Sequence, residues 1–305
     1  MNNVLLESFK ADEVWQALQQ MHPTKSPGPD GMSPIFYQKY WDIVGVNVSS
    51  CVLQALNTGV MPRDINNTYI CLILKIKNPQ KITNYRPISL CNLIYKLISK
   101  VLANRLKQNL HEVINEAQSA FVLGRHITDN VVVAFETMHT IGKRKKGKEG
   151  LMAIKLDMSK AYDRVEWGYL EIVMRKVGFC ERWISLVMMC VTTVSYEVLI
   201  NREPRGKITP SRGLCQSDLI SPYLFILCTE GLFALIKKKE AVGLIRGVGV
   251  SKFAPPVSHL FFADDSIIFC RATMEECKQV AEVLDTYEKE SGQKINRDKT
   301  SFFYY

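Results

Sequence analysis

The sequence has no paired cysteine motif and no long hydrophobic run. Its nine cysteines occur singly, without a Cys-x-x-Cys pair, and the five histidines form no ligand spacing with them. This pattern argues against a zinc site, and an odd number of scattered cysteines indicates reduced thiols inside a cell. The longest apolar stretch, residues 223–236, is interrupted by Thr229 and Glu230 and is too short to span a bilayer, so we expect no membrane partner. Residues 1–13 lack the apolar core of a secretory signal.

Extremes of composition are also missing. The 305 residues are 47% hydrophobic and 23% charged, with 17 Gly and 12 Pro. These values exclude a mostly disordered chain, a collagen and a coiled coil, and they allow a substantial core. The length fits one large domain or two modest ones.

Acidic residues are absent from residues 65–111, a stretch whose eight Lys or Arg side chains hold +8 of the formal net charge of +9. Clustered cations favour a polyanionic partner, because binding to phosphates releases counterions. The alternative is a solvated basic face, which is the commoner meaning of a charge run. The cations are Lys75, Lys77, Lys81, Arg86, Lys96, Lys100, Arg105 and Lys107.

Local patterns divide the chain into three parts. Residues 1–142 are predicted to be mostly helical, residues 143–150 form a basic, glycine-ended linker, and residues 151–305 mix strands and helices. In the first part, residues 92–110 have apolar side chains at the helical period. The opposite face of this predicted helix carries Lys96, Lys100 and Lys107.

Carboxylates end two of the predicted strands. The strand that starts at Leu151 ends at Asp157, and two apolar runs flank Asp264 and Asp265, which predicts a hairpin with these two carboxylates as its turn. If the strands are neighbours, three carboxylates converge at one end of a sheet, which is unfavourable without a cation. Mg²⁺ takes carboxylate oxygens and substrate phosphates as ligands, and two ions ~4 Å apart can hold the attacking and leaving oxygens of a phosphoryl transfer. A plain acidic turn is the alternative.

The acidic hairpin resembles a motif of known polymerases. Residues 262–265, Phe-Ala-Asp-Asp, are similar to the F/Y-x-D-D motif of reverse transcriptases, and residues 156–165 are similar to the D-x-x-K-A-F/Y-D-x-V motif of the same family. Because the similar segments follow the order of the family, the combined match is much more specific than any one motif. Residues 25–32 resemble the N-terminal loop of non-LTR, LINE-type elements, and the sequence is most similar to plant members. The other similar segments are residues 84–90, 213–218, 221–225, 291–296 and 299–301.

The resemblance implies a fold and a reaction. The fold is α+β, with residues 1–142 as the basic, mostly helical fingers of a right-hand polymerase and residues 151–305 as a palm, whose small antiparallel sheet is backed by helices. The reaction is RNA-directed DNA synthesis, in which two Mg²⁺ ions support transfer of dNTPs onto the 3′-OH of a DNA primer paired with an RNA template. The residues leave localisation and oligomeric state open; the resemblance implies the nucleus.

The resemblance also implies roles for individual residues. Asp157 and Asp264 match the two principal metal ligands, Asp265 matches the third acidic residue, and the main-chain carbonyl of Met158 matches a further ligand. Tyr162 resembles the steric gate, where an aromatic ring crowds a 2′-OH and favours deoxynucleotides. The alternative for Tyr162 is an ordinary aromatic residue of a helix core.

Cations and one amide complete the implied site. Lys75 and Arg86 match fingers residues that meet the triphosphate, where charge on phosphate needs cations. Gln216 matches a contact to the incoming nucleotide, and Lys299 matches a lysine near the leaving pyrophosphate. The alternatives are ordinary surface cations for Lys75 and Arg86 and a polar loop residue for Gln216.

Several positions depart from the family pattern. Around Gln216, Cys215 replaces Arg, Ser217 replaces Gly and Leu219 replaces Pro. Glycine allows the main chain to approach a ligand closely, so Ser217 is expected to displace Gln216. Asp218 is interpreted as a structural carboxylate near a helix start, where negative charge is favourable.

The resemblance ends shortly after Lys299, before the primer-gripping hairpin and the helical thumb of the family. We therefore interpret the chain as a fragment or decayed copy of a retroelement polymerase and expect it to hold a primer–template duplex weakly. The apolar residues 302–305 are expected to form an exposed edge. Two other functions stay open: a non-catalytic nucleic-acid-binding remnant, and a palm polymerase that makes RNA.

Overall fold

The computed structural model describes residues 1–143, 150–251 and 253–304. Most of the predicted linker, residues 144–149, lies outside the described residues, as does Tyr305 of the apolar tail. All nine cysteines lie within the described ranges and are free. In the same ranges, no helix combines the length and the apolar character needed to cross a bilayer.

The chain forms two compact units, each built from two separate stretches. The first unit comprises Met1–Asn109 and Met174–Ser221, and the second unit comprises Leu110–Val173 and Pro222–Tyr305. The helices and strands of the described residues, numbered in chain order, are α1 (Asn2–Leu5), α2 (Ala11–Gln19), α3 (Pro34–Lys39), α4 (Trp41–Thr58), β1 (Asn67–Leu74), β2 (Tyr85–Cys91), α5 (Leu93–Val113), α6 (Ile127–Lys143), β3 (Leu151–Leu156), α7 (Trp167–Val177), α8 (Glu181–Thr192), β4 (Ser195–Ile200), β5 (Glu203–Ile208), α9 (Ser221–Ala241), β6 (His259–Phe262), β7 (Asp265–Arg271), α10 (Met274–Ser291) and β8 (Ser301–Tyr304).

The sheet of the first unit has the strand order β2-β1-β4-β5. The β1–β2 and β4–β5 pairs are antiparallel, and the β1–β4 pair is parallel. Strand β2 tolerates Pro87 because an edge strand can turn a position without an N–H away from the ladder. The β4–β5 hairpin has a two-residue loop in which Asn201 and Arg202 have φ values of 53° and 69°, as a type I′ turn requires.

Helix α5 supplies much of the core of the first unit. The predicted apolar face is confirmed, because Leu97, Ile98 and Leu102 are fully buried. The lysine face was predicted to be polar, but Lys96 is only 3% exposed, and its Nζ donates to the main-chain oxygen of Ser26 at 2.7 Å. Burial lowers the pKa of Lys96. This lysine therefore anchors a loop and is not part of an open basic surface.

Arg105 is a second cation of the acid-free stretch that is used inside the fold. Its guanidinium forms two 2.7 Å hydrogen bonds to the carboxylate of Glu13 and lies 3.8 Å from the ring centroid of Phe9. It also donates to three main-chain carbonyls between Leu5 and Ser8. Removing one partner of such a buried pair typically costs about 3–5 kcal/mol. The basic stretch therefore combines structural cations with exposed ones.

The sheet of the second unit has the strand order β6-β7-β3-β8, and all its pairs are antiparallel. This confirms that the strand before Asp157 and the acidic hairpin are neighbours. One face packs on α6, where Ile141 joins a buried cluster with Ala153 and Phe269. Between β3 and α10 on the other side lies a mainly apolar cavity of about 410 Å³, lined in part by Ile154 and Leu284.

The segment after β3 does not enter a helix at once. Lys160 has a φ of 53°, which a right-handed helix cannot include. A 3₁₀ turn at Tyr162–Arg164 follows, and α7 begins at Trp167. Strand β8 lies at the edge of the sheet and leaves Phe302 59% exposed, as the apolar tail predicted.

The described residues therefore form a mixed helix–strand fold whose sheets are antiparallel except for the β1–β4 pair.

Candidate active site

The loop of the acidic hairpin, which consists of β6, its loop and β7, is one residue away from its predicted position. The loop consists of Ala263 and Asp264, because Asp265 pairs with Phe262 and is the first residue of β7. Ala263 has a φ of 52°, so its main chain is in the left-handed region. Both carboxylates are exposed. The prediction that Asp264 and Asp265 together form the turn was therefore wrong, although both lie at the hairpin tip.

Asp157 lies at the same end of the sheet as the hairpin tip. It directly follows Leu156, which pairs with Ser266, and Ser266 directly follows Asp265. Continuing this antiparallel register places Asp157 opposite Asp265, and opposed residues point to the same face of a sheet. The main-chain oxygen of Asp157 accepts a hydrogen bond from the N–H of Asn296 at 2.8 Å. Asp157 is half-buried and the hairpin carboxylates are exposed, so the set borders solvent.

Two lysines accompany these carboxylates. Lys299 Nζ lies 4.0 Å from Asp157 Oδ2, and Lys155 Nζ lies 4.0 Å from Asp265 Oδ1. The side chains of Lys299 and Lys155 are 70% and 54% exposed, so solvent screens both contacts and each is worth less than about 1 kcal/mol. Lys155 was not predicted to lie at the site, because the sequence of β3 does not indicate that Lys155 approaches Asp265. Weak pairs of this kind leave the carboxylates available for other ligands.

The donor set fits a hard divalent cation that keeps part of its own ligand shell. Among the described residues, no group of three or more His, Cys, Asp and Glu side chains is arranged to enclose a metal ion. Mg²⁺ is commonly bound by one or two carboxylates together with water and substrate phosphates, without a cage of protein side chains. Asp157 and Asp265 at one sheet end, with Asp264 in the adjoining loop, provide oxygen ligands of that type.

The segment after Asp157 is fixed by backbone pairing. Met158 and Ile295 form an isolated antiparallel bridge. Its hydrogen bonds run from Ser159 N–H to the oxygen of Lys294 at 2.7 Å and from Asn296 N–H to the oxygen of Asp157 at 2.8 Å. Neither bond uses the carbonyl of Met158, the further metal ligand that the resemblance implies.

Tyr162 lies on the 3₁₀ turn after this segment. Its ring stacks on Phe225 of α9, with centroids 4.9 Å apart and planes inclined by 20°. Burial, together with the negative charge of Asp264, raises the pKa of Tyr162 to about 12. The ring is half-buried, so it is not an ordinary core side chain. The second unit thus brings Tyr162, Asp157, the hairpin carboxylates and Lys299 to one region.

Lys75 and Arg86 belong to the first unit. Both are exposed and lie at one end of the β1–β2 pair, where Ile73 pairs with Arg86 and Lys75 follows the end of β1. Lys75 Nζ donates to the main-chain oxygen of Thr83 at 3.2 Å. Exposed cations at a strand end can contact an anion at little cost in desolvation.

Gln216 also belongs to the first unit, beside the positions that depart from the family pattern. Its main-chain oxygen accepts from Ser89 N–H at 3.2 Å. Ser217 has a φ of 81°, a left-handed conformation that glycine adopts without strain and that serine adopts at a cost. Cys215 is buried, and its Sγ lies 4.0 Å from that of Cys91. The sequence therefore keeps a glycine-like backbone without the glycine.

Asp218 has a structural environment. It is 5% exposed, and its carboxylate accepts hydrogen bonds from Tyr95 Oη at 2.8 Å and from Leu219 N–H at 2.6 Å. Burial raises the pKa of Asp218 despite these bonds.

The sequence analysis did not identify the residues whose side chains hydrogen-bond to the backbone of the acidic hairpin. Gln118 Oε1 accepts from Ala263 N–H at 3.1 Å, and Asn130 Nδ2 donates to the oxygen of Phe261 at 2.8 Å. Arg125 donates to the main-chain oxygens of Asn115 and Gln118 at 2.5 and 2.7 Å. In the sequence, Gln118 and Arg125 belong to a polar segment between α5 and α6. Such a segment does not by itself indicate which residues it will contact.

Comparison with known proteins assigns the chain to a family. Residues 76–304 match the family described as reverse transcriptase (RNA-dependent DNA polymerase). The chain is 30% identical over 290 residues to an uncharacterized 149 kDa protein of transposon TX1 from Xenopus laevis, covering 95% of this chain and 22% of that protein. It is 22% identical over 303 residues to the Pol polyprotein of the type-2 retrotransposable element R2DM from Drosophila melanogaster, covering 97% and 27%. A stretch of 68 residues is 52% identical to an uncharacterized mitochondrial protein of Arabidopsis thaliana, covering 22% and 56%.

The chain belongs to the reverse transcriptase family. It is a reverse transcriptase domain of the non-LTR, LINE type, as its relatives are polyproteins of such retrotransposons. It spans between 22% and 56% of the length of the three relatives described above.

Proposed function

We propose that this chain is an RNA-directed DNA polymerase that transfers dNTPs onto the 3′-OH of a DNA primer paired with an RNA template. The observation that carries the proposal is the register of β3 and β7, which aligns Asp157 with Asp265 beside the loop that holds Asp264. Family membership supports the same reaction.

The proposal includes a right-hand architecture. Residues 151–305 are the palm, residues 1–142 are the fingers, and residues 143–150 link them. The proposal of a palm is supported by the antiparallel sheet β6-β7-β3-β8, which has α6 and α10 on its faces. The proposal that the fingers are basic is supported by two exposed cations at the β1–β2 pair, Lys75 and Arg86.

The second unit carries the proposed chemistry. Asp157 and Asp264 are the principal ligands of two Mg²⁺ ions, with Asp265 as the third acidic residue and the Met158 carbonyl as a further ligand. The ions, when bound, supply charge stabilisation for the attacking and leaving oxygens of the transfer. Asp157 is held in place by the hydrogen bond from Asn296 to its main chain. This bond fixes the backbone from which the carboxylate projects.

The remaining residues bind and select the nucleotide. Tyr162 crowds a 2′-OH, and its stack on Phe225 keeps the ring from moving aside. In the first unit, the motif positions of Gln216, Lys75 and Arg86 assign Gln216 to the incoming nucleotide and the two cations to the triphosphate. Cations stabilise the charge that develops on phosphate.

Lys299 lies 4.0 Å from Asp157, and we propose that it turns from this carboxylate toward the leaving pyrophosphate. The 4.0 Å contact between the two side chains is loose enough to exchange, because both are partly exposed.

Primer extension tests the proposal. The chain is incubated with a labelled DNA primer on an RNA template, Mg²⁺ and dNTPs, and compared with Asp264→Asn and with Asp285→Asn, a matched change at an exposed carboxylate of α10. We expect Mg²⁺-dependent extension that Asp264→Asn reduces by at least about 100-fold, as expected for loss of a group that stabilises the transition state. The Asp285→Asn variant retains extension. Extension that survives Asp264→Asn contradicts the metal assignment.

A second function is favoured by one observation. The left-handed Ser217 costs free energy where the resemblance implies glycine, and it lies directly beside Gln216, the proposed nucleotide contact. In this case the chain is a non-catalytic remnant that binds nucleic acid through its basic residues. It predicts RNA binding that weakens steeply with salt and no incorporation under any condition. Binding that is equal at low and high salt counts against it.

A further inference from the structure

The loop that carries Asp264 is held in an unfavourable backbone conformation. Ala263 has a φ of 52°, and a residue with a Cβ pays roughly 1–2 kcal/mol in this region. Ala263 is also buried, so its N–H cannot bond to bulk water. Such a conformation persists only where the surroundings determine it. The residue that satisfies this N–H therefore controls the loop beside Asp264.

That residue is Gln118. Its side chain is fully buried, and its Oε1 accepts from the N–H of Ala263 at 3.1 Å and from the N–H of Ala120 at 3.0 Å. One carbonyl oxygen thereby joins the hairpin loop to a segment 145 residues earlier in the chain. Its Nε2 is buried and has no hydrogen-bond partner among residues 1–143, 150–251 and 253–304. Among the described residues, the Gln118 amide therefore makes its hydrogen bonds through Oε1 alone.

Gln118 is itself fixed against β6. The N–H of Phe261 donates to the oxygen of Ala117 at 2.8 Å, and the N–H of Ser119 donates to the oxygen of Phe261 at 3.2 Å. These bonds form a parallel bridge between Gln118 and Phe261. Asn130 adds bonds from its Nδ2 to the oxygens of Ala117 and Phe261, at 3.0 and 2.8 Å. The accepting oxygen therefore has a defined position relative to the hairpin.

We propose that Gln118 is a positioning residue that sets the hairpin loop so that Asp264 and Asp265 meet a divalent cation together with Asp157. This inference rests on the proposed function, because it requires these carboxylates to be metal ligands. Groups that orient metal ligands from behind typically change metal affinity by about 10- to 100-fold when they are removed.

Binding of Mn²⁺ alone tests the inference without requiring polymerase activity. Titration followed by electron paramagnetic resonance measures free Mn²⁺ and gives the dissociation constant. We expect Gln118→Met, which keeps the side-chain length and removes the accepting oxygen, to weaken binding by about tenfold. The matched control is Thr137→Val, which removes a fully buried hydroxyl of the same unit, on α6, that donates to the main-chain oxygen of Val133 at 2.7 Å. This control is expected to lower thermal stability and to leave Mn²⁺ affinity unchanged.

Two further variants separate positioning from general stability. Gln118→Glu keeps the accepting oxygen, and burial favours its neutral acid form, so at a pH where this acid is protonated it is expected to retain the wild-type affinity. Gln118→Asn keeps the amide and withdraws the oxygen by one methylene, so it is expected to weaken binding as Gln118→Met does. It also serves as the test if Gln118→Met does not fold, as judged by circular dichroism. Equal affinity in Gln118→Asn, Gln118→Met and wild type, or an equal loss in Thr137→Val, overturns the inference.

Failure of the proposed function has a different signature. If wild type binds no Mn²⁺ saturably, or if Asp264→Asn binds it as tightly as wild type, the carboxylates are not metal ligands and both proposals fall. If Asp264→Asn weakens binding while Gln118→Met and Gln118→Asn do not, the metal site stands and only the role of Gln118 is rejected.

Discussion

The ring of Tyr162 stacks on the ring of Phe225, with centroids 4.9 Å apart and an interplanar angle of 20°. Tyr162 follows the strand that leads to Asp157, whereas Phe225 lies on α9. The stack therefore links the turn that follows β3 to helix α9. A ring held in this way cannot swing away from a bulky sugar without losing the contact, which is worth about 0.5–1.5 kcal/mol.

Replacing Tyr162 tests the steric gate. Crowding in a packed site typically costs about 1–3 kcal/mol, so Tyr162→Ala is expected to raise the relative kcat/KM for rNTPs over dNTPs by roughly 10- to 100-fold. Tyr162→Phe keeps the ring and is expected to keep the selectivity. Single-nucleotide incorporation kinetics measure both. Unchanged selectivity in Tyr162→Ala removes the gate assignment, and a wild type that prefers rNTPs supports an RNA-making polymerase.

The conformation of Ser217 predicts a stabilising substitution. A left-handed φ of 81° costs serine roughly 1–2 kcal/mol, and the extra freedom of glycine in the unfolded chain offsets about 0.5–1 kcal/mol of the gain. Ser217→Gly is therefore expected to raise the free energy of unfolding by about 0.5–1 kcal/mol. Urea denaturation measures this change. The control is Ser211→Gly, an exposed loop serine outside the left-handed region, which is expected to be slightly destabilising. If Ser217→Gly lowers the free energy of unfolding, the claim that Ser217 is strained is contradicted.

Glu230 predicts a pH dependence of stability. Burial raises the pKa of Glu230 to about 7, although the N–H of Asn115 donates to its carboxylate at 3.1 Å and the charge of Arg125 favours ionisation. The folded state therefore binds a proton more tightly than the unfolded state, whose pKa is about 4.5. The free energy of unfolding is predicted to fall as pH rises from about 4.5 to about 7 and to change no further above that range through this group.

Glu230→Gln removes this titration and keeps an oxygen for Asn115. At pH 8 the variant is expected to be more stable than wild type by on the order of 2 kcal/mol, a value reduced from the full shift because the carboxylate is partly exposed. The difference is expected to vanish near pH 4.5. Unfolding in urea at several pH values measures it. A difference that stays constant with pH shows that Glu230 does not titrate as stated.

Much of the second unit could be predicted because its signals are local. Alternation identified β3, and the apolar runs around Asp264 identified the hairpin. The position of the hairpin loop was wrong by one residue, because the pairing of Phe262 with Asp265 depends on how the strands pack and on the left-handed Ala263. An alanine at position 263 does not predict a left-handed backbone conformation.

The supports of the candidate site and the buried cations of the first unit could not be predicted, because each joins residues that are distant in sequence. Gln118 and Ala263 are 145 positions apart, and Arg105 and Glu13 are 92 apart. Neither pair leaves a periodic or local pattern in one sequence. Lys96 was placed on a polar face for the same reason, since the loop that buries it comes from a separate part of the first unit.

A crystal structure with Mn²⁺ and a dNTP tests the central claim most directly, since anomalous scattering locates the metal without assumptions about activity. The account predicts anomalous peaks at the end of the β3–β7 pair, with metal–oxygen distances of about 2.1 Å to carboxylates of Asp157 and Asp264. It also predicts that Lys299 leaves Asp157. Well-ordered crystals in which Mn²⁺ binds only elsewhere, and in which Asp157 keeps its contact with Lys299, contradict it.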